Sequence, residues 1–220
     1  MKPITTFIFS FFIFAGTAFG LDFLIYNAEE VVEKPSWKRA EGGYATRSIE
    51  FTLDHRKFTV THLGFLDDYR LGHKMRTKYR GLNSSHEVGL FTAKGKLLAS
   101  VRIDEGDGSD YRLSYKWKEL DEPVVLQPNR RYLLAGTNSS PDRGGEFYGD
   151  LPAEEIETSA PFTIHQTAHF AWSREPKGLT FPNRMRHDGD PVILVNLAGY
   201  TEGSDDSGFG FLNDYGDSVR

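Results

Sequence analysis

His86 and Glu87 stand side by side in the stretch SSHEVGLFTAKGKLLASVRI, Ser84 to Ile103. A His-Glu pair opens the zinc-protease signature His-Glu-x-x-His, in which two imidazoles one helical turn apart hold the metal and the carboxylate serves as base. The second imidazole belongs at position 90, which is Leu. Gly89 and the β-branched Val88 disfavour the helix that would align two ligands. On a strand, successive side chains point to opposite faces, so His86 and Glu87 diverge, and His86 shares its face with Val88 and Leu90. The stretch therefore reads as a β-hairpin turning at Lys94-Gly95, with His86 a structural residue whose ring nitrogens bond nearby backbone.

Other residues carry chemistry of their own. His165 and His169 lie in FTIHQTAHFAW, where a spacing of four suits a metal on a helix. Residues 162–172 are compatible with helix or strand, β-branched and aromatic content favouring strand, and a strand would hold the two rings about 13 Å apart. Two acidic loops, Asp104 to Asp110 and Glu202 to Asp206, have the composition of calcium loops. Calcium takes about six to eight oxygens, and Asp104, Asp107 and Asp110 are the expected ligands, although Gly106 breaks the EF-hand spacing. No other cofactor is expected. Trp37, Tyr69, Tyr79 and Tyr148 fall in loop-like segments, as do Tyr200 and Tyr215. Their flat apolar faces and polar tips suit sugar rings, unless they tuck beneath their own loops. A basic run, Arg70, His73, Lys74, Arg76, Lys78 and Arg80, would either meet an anionic glycan or be a solvated loop. For nucleophilic catalysis there is no Gly-x-Ser-x-Gly and no Cys, and no phosphate loop of the Gly-x-x-x-x-Gly-Lys type is present. Glycosidase carboxylate pairs meet only in a fold and cannot be read from spacing. The expectation is a protein that is not an enzyme.

The N-terminal MKPITTFIFSFFIFAGTAFG has the order of a secretory signal peptide: Lys2, an apolar core from Ile4 to Phe14, then Ala15-Gly16-Thr17-Ala18. That core is short against the ~20 residues needed to cross a bilayer, so no lasting membrane span is expected after cleavage at Gly20. Removal of Lys2 with the export segment leaves 25 Lys and Arg against 31 Asp and Glu, a net charge of −6. Such a surface argues against nucleic acid as a partner. An exported chain with no cysteine has no disulfide, so burial and hydrogen bonds must carry its stability. Export without cysteine at this size points to a bacterial source, and to a secreted, periplasmic or cell-surface location.

The elements that would position these residues have a period of two. Ile49, Phe51 and Leu53 form one apolar face, and Tyr132, Leu134 and Gly136 a second. Leu97, Ala99, Val101 and Ile103 form a third. Tyr111, Leu113, Tyr115 and Trp117 alternate with Arg112, Ser114, Lys116 and Lys118 and read as one strand with a wet, basic face. Phe58 and Val60 have one phase and Leu63 and Phe65 the other, which predicts a bulge near Thr61-His62. Short strands separated by turn compositions predict an all-β fold, an antiparallel β-sandwich of jelly-roll type. Only Asn27 to Lys34 reads as helical, with Asn27 as cap and Pro35 as stop. The organisation is then a signal peptide over 1–20, an N-terminal arm over 21–43 and one β-sandwich domain over 44–220, with residues 138–160 as a long connection.

Several motifs occur in one order: Phe58-Thr59-Val60, Leu63-Gly64-Phe65-Leu66-Asp67, Ser85-His86-Glu87-Val88-Gly89-Leu90-Phe91, Gly95-Lys96-Leu97-Leu98-Ala99-Ser100, and Pro123 through Leu133. This order resembles a bacterial domain family of unknown function found in exported proteins, including PEP-CTERM-type surface proteins. The resemblance covers residues 44–137, with an echo in Gly208-Phe209-Gly210-Phe211. Two departures are the long basic insert Tyr69 to Gly81 and the lack of a PEP sorting motif. What it implies is a secreted β-sandwich module. An extracellular glycan or a surface component is the expected partner, with no oligomeric state implied.

Overall fold

In the computed structural model, the described residues are 21–25, 38–39, 44–66, 82, 84–106, 111–112, 115–139, 147–148, 156–158, 162–173, 178–186 and 195–201. The signal segment, the expected helix Asn27–Lys34, the basic run 70–80 and the acidic loop 202–206 lie outside them.

Thirteen strands occur in the described residues: β1 (Asp22–Phe23), β2 (Lys38–Arg39), β3 (Tyr44–Leu53), β4 (Phe58–Leu66), β5 (His86–Thr92), β6 (Leu97–Ile103), β7 (Tyr111–Arg112), β8 (Tyr115–Leu126), β9 (Arg131–Ser139), β10 (Phe147–Tyr148), β11 (Phe162–Ser173), β12 (Arg184–Arg186) and β13 (Val195–Thr201). There is no helix among these residues, and none long and apolar enough to cross a membrane. A five-stranded sheet runs β1-β13-β4-β8-β7 and a six-stranded sheet runs β12-β11-β3-β9-β5-β6, with every pairing antiparallel. β10 and β2 form a separate ribbon. The two large sheets make two layers, each contributing one apolar face to a shared core, as alternating strands require.

Ile49, Phe51 and Leu53 of β3 and Tyr132 and Leu134 of β9 are all buried. They meet rings from the other layer and from β11, Phe58 lying edge-on to Phe162 at 4.8 Å and Phe162 edge-on to Phe51 at 5.5 Å. The phase change in β4 is a bulge between Val60 and His62 in its pairing with β8, as the sequence predicts. The hairpin of β5 and β6 turns at Lys94-Gly95, where Gly95 takes φ +88° and relieves a conformation that side chains resist. Residues 162–173 are strand, which settles the helix-or-strand ambiguity, and a register shift separates His165 from Ala168.

Three expectations are corrected. The alternating run Tyr111–Lys118 is not one strand: β7 and β8 pair antiparallel, Tyr111 opposite Lys116 and Arg112 opposite Tyr115. Two residues, 113 and 114, separate the strands, and apolar residues recur at every second position straight across that gap, so periodicity could not see the reversal. Leu97 does not join Ile103 in the core. A register shift between Leu90 and Phe91 sets Leu97 opposite Phe91 on the outer face, 46% exposed and against Gly89. Residues 138–160 are not one uninterrupted connection, since β9 continues to Ser139 and β10 lies within the segment.

The start of the described chain is held by the pairing of β1 with β13, by the Leu24 N–H donating to the Leu197 carbonyl at 3.1 Å, and by one side-chain amide. Buried Asn196 accepts from the Ile25 N–H at 3.0 Å and donates to the Ile25 carbonyl at 2.9 Å, which seats Phe23, Leu24 and Ile25 in the core beside β13. An amide side chain offers both a donor and acceptors, so it can mimic a strand neighbour where the ladder ends.

Candidate functional site

His86 is architecture. It is 1% exposed, its ring stacks on Phe65 of the other layer at 3.9 Å, and Nδ1 lies 2.7 Å from the Thr137 carbonyl. Glu87, one residue on, faces the opposite way, as strand alternation demands. Its carboxylate accepts the Leu179 N–H.

That bond pins a strap, residues 178–183, across the outer face of the six-stranded sheet. The Thr180 N–H donates to Thr46 Oγ1 at 3.3 Å. Leu179 lies over Gly89, in the space a Cβ would need, and Phe181 packs on Phe91 with ring centroids 5.6 Å apart. Beneath the strap Phe91, Leu133 and Ala135 are almost fully buried. A sandwich strand ordinarily shows polar residues on this side, yet β9 is apolar on both of its faces here. Burying an aromatic or leucine side chain stabilises by about 1.5–3 kcal/mol, so this small outer cluster is worth covering. Glu87→Ala should therefore free the strap: the Leu179 amide is expected to exchange its hydrogen at least about tenfold faster, with a stability loss of about 1–3 kcal/mol. Unchanged exchange at Leu179 would remove Glu87 as the pin.

Beside the strap, strand register assembles a polar row. His165 of β11 lies opposite Glu50 of β3, and Glu50 lies opposite Leu133 of β9. Arg131 Nη1 donates to Glu50 Oε1 at 3.1 Å, the carboxylate side chain being 4% exposed and the guanidinium side chain 59%. The buried carboxylate is thus neutralised by a cation that still reaches solvent. His165 Nε2 is buried without a hydrogen-bond partner among the described residues. Burial pushes the His165 pKa down, the Arg131 charge adds to that, and Glu50 opposes it. At neutral pH the row is a neutral imidazole beside a fixed guanidinium–carboxylate pair.

The sign of the pH effect follows. An unfolded histidine takes up its proton near pH 6.5, before His165 does in the fold. Stability is therefore whole above that value and is lost as the pH falls from about 6.5 through the lowered folded pKa. A His165→Gln variant should lose less stability than the parent between pH 7.5 and pH 5.5, as urea midpoints would show; parallel losses would refute the assignment.

The residues singled out from sequence fare differently. Trp37, Tyr69 and Tyr79 lie outside the described residues, as do Asp107 and Asp110. Tyr148 sits on β10, paired with Lys38 of β2. His165 and His169 share β11, but the ladder sets one opposite Glu50 and the other opposite Ser48. Asp104 is exposed and pairs with Arg102 Nε at 3.2 Å. The carbonyls of Asp104, Glu105 and Gly106 turn towards Lys116 Nζ, at 2.6, 3.5 and 3.0 Å, so an ammonium supplies positive charge at the mouth of this loop. No group of three or more metal-binding side chains occurs among the described residues.

Glu50 and Arg131 escaped the sequence reading. A charged residue between Ile49 and Phe51 signals an outward strand position, but its partner lies 81 residues away and only the register of β3 with β9 joins them. No protein-family model matches the chain, and no curated protein matches it.

Proposed function

We propose that the protein is an exported, non-catalytic binding module, a β-sandwich of jelly-roll type that engages a glycan at the cell exterior. The observation that supports this reading is the half-open polar row Arg131–Glu50–His165 beside an apolar patch on the outer sheet face. A guanidinium locked to a carboxylate offers donors and acceptors in fixed positions. Sugar hydroxyls, which both donate and accept, suit such a pair, and the cost of ordering it is already met by the fold. The resemblance to exported bacterial modules supports the location. Trp37, Tyr69, Tyr79 and Tyr148 remain the proposed aromatic contacts, and Asp104, Asp107 and Asp110 the proposed calcium ligands.

The test is a glycan array probed with residues 21–220, with and without calcium. Binding is expected, and Arg131→Ala or His165→Ala should weaken it by about tenfold. Silence in both conditions overturns the reading and leaves a structural or adhesive surface component. A further reading, a jelly-roll polysaccharide-degrading enzyme, draws on the neutral His165 beside Glu50, an arrangement that could accept a proton. Release of reducing ends or unsaturated products from polysaccharides, lost in His165→Ala, would favour it over simple binding.

A further inference from the structure

Three turns meet at one end of the two layers. The turn from β3 to β4 is laced to the turn from β8 to β9 by the Asn129 N–H, which donates to the Leu53 carbonyl at 2.8 Å. The turn from β5 to β6 joins the same group through the Ala93 N–H, which donates to the Arg131 carbonyl at 3.2 Å. Asn129 and Gly95 both take positive φ, which keeps two of these connections tight. The first turn carries His55, Arg56 and Lys57, the second Arg130 beside Arg131, and the third Lys94 and Lys96, all of them exposed.

The carboxylates described at this end are mostly engaged. Asp54 accepts from the Thr163 hydroxyl at 2.9 Å, Glu50 is bound by Arg131, and Glu157 stands near the start of β11. On a chain of net charge −5 this end is locally cationic. The opposite end, where Asp104 and Glu105 meet Arg102 and Lys116, mixes both signs.

We propose that this three-turn end is an interaction surface for an acidic polysaccharide, with its charge carried as carboxylate or sulfate. The proposal rests on the glycan reading above and names the class of glycan. Cations on three short, mutually bonded turns present a rigid set of charges to a linear polyanion, and the potentials of such clusters concentrate counter-charged ligands. Arginine forks at Arg56 and Arg130 match the paired oxygens of carboxylate and sulfate. A membrane surface fits less well, because the tips hold no large apolar side chain to insert: Ala93, Gly95 and Pro128 are their apolar residues.

The experiment measures binding of residues 21–220 to polygalacturonate, dextran sulfate and uncharged dextran at low and high salt. Both polyanions are expected to bind at low salt, to weaken as salt rises, and to exceed dextran. The variant Arg56→Glu/Lys94→Glu/Arg130→Glu should lose about a hundredfold in affinity while keeping its thermal unfolding profile. Lys118→Glu, an exposed reversal on β8 outside the cluster, should stay within about twofold. The proposal is overturned by no polyanion binding at low salt, by equal binding of dextran, or by a triple variant that binds as the parent does. Tighter binding to a single-stranded oligonucleotide or to phosphatidylserine vesicles would also overturn it. Neutral glycans that bind on the array while both polyanions fail would leave the module reading standing and remove this one.

Discussion

Gly199→Ala is expected to prevent folding or to cost about 4 kcal/mol or more. Gly199 lies at the irregularity in the β13–β4 ladder, between Ala198 opposite His62 and its own pairing with Val60. A Cβ there would be driven into the Thr59 carbonyl oxygen, with the Thr59 carbonyl carbon and a Phe58 ring carbon each only 2.8 Å away. Neither neighbour can yield, since one is ladder backbone and the other a core ring with no exposure. Against a typical total stability of about 5–15 kcal/mol, such a loss is decisive. Gly106→Ala is the contrast: nothing lies within 4 Å of its added methyl, and only its φ of +84° resists, so about 1 kcal/mol is expected. Urea unfolding of both variants checks the pair; a Gly199→Ala protein within about 1 kcal/mol of the parent would refute the close-approach argument.

The second large effect belongs to His86. Because a carbonyl oxygen only accepts, the 2.7 Å contact with Thr137 places a proton on Nδ1, leaving Nε2 to face the Ser84 hydroxyl at 3.3 Å. The ring lies nearly parallel to Phe65, 10° between planes, and so ties one layer to the other. His86→Ala removes a stacked ring and a buried hydrogen bond together, and should cost about 3–4 kcal/mol. His86→Phe keeps the stack and loses only the bond, which predicts about 1–2 kcal/mol. Denaturation midpoints should fall in that order. An alanine variant as stable as the phenylalanine variant would show that the ring contributes little to the layer contact.

The hairpin around Lys94-Gly95, the bulge in β4 and the buried faces of β3 and β9 were legible because each is a local, period-two signal written in consecutive residues. Alternation along the strand also separates His86 from Glu87. The same signal misread Tyr111 to Lys118, since apolar residues happen to recur at every second position across the reversal, where the pairing sets Tyr111 opposite Lys116. It misread Leu97 as well, where one register shift exchanged faces.

The polar row and the strap were not legible, for a different reason. Glu50, Arg131 and His165 belong to three strands whose adjacency is set by sheet order, and Glu87 meets Leu179 from 92 residues away. Local patterning determines which residues of a strand point inward, because backbone geometry alternates side chains irrespective of neighbours. Thus the all-β class, the absence of disulfides and the structural role of His86 follow from the order of residues. Which outward-facing residues meet, which carboxylate is buried and neutralised, and which three turns bring their cations together are decided by non-local strand pairing. That pairing depends on long-range packing of both layers, so it exists only in the folded molecule.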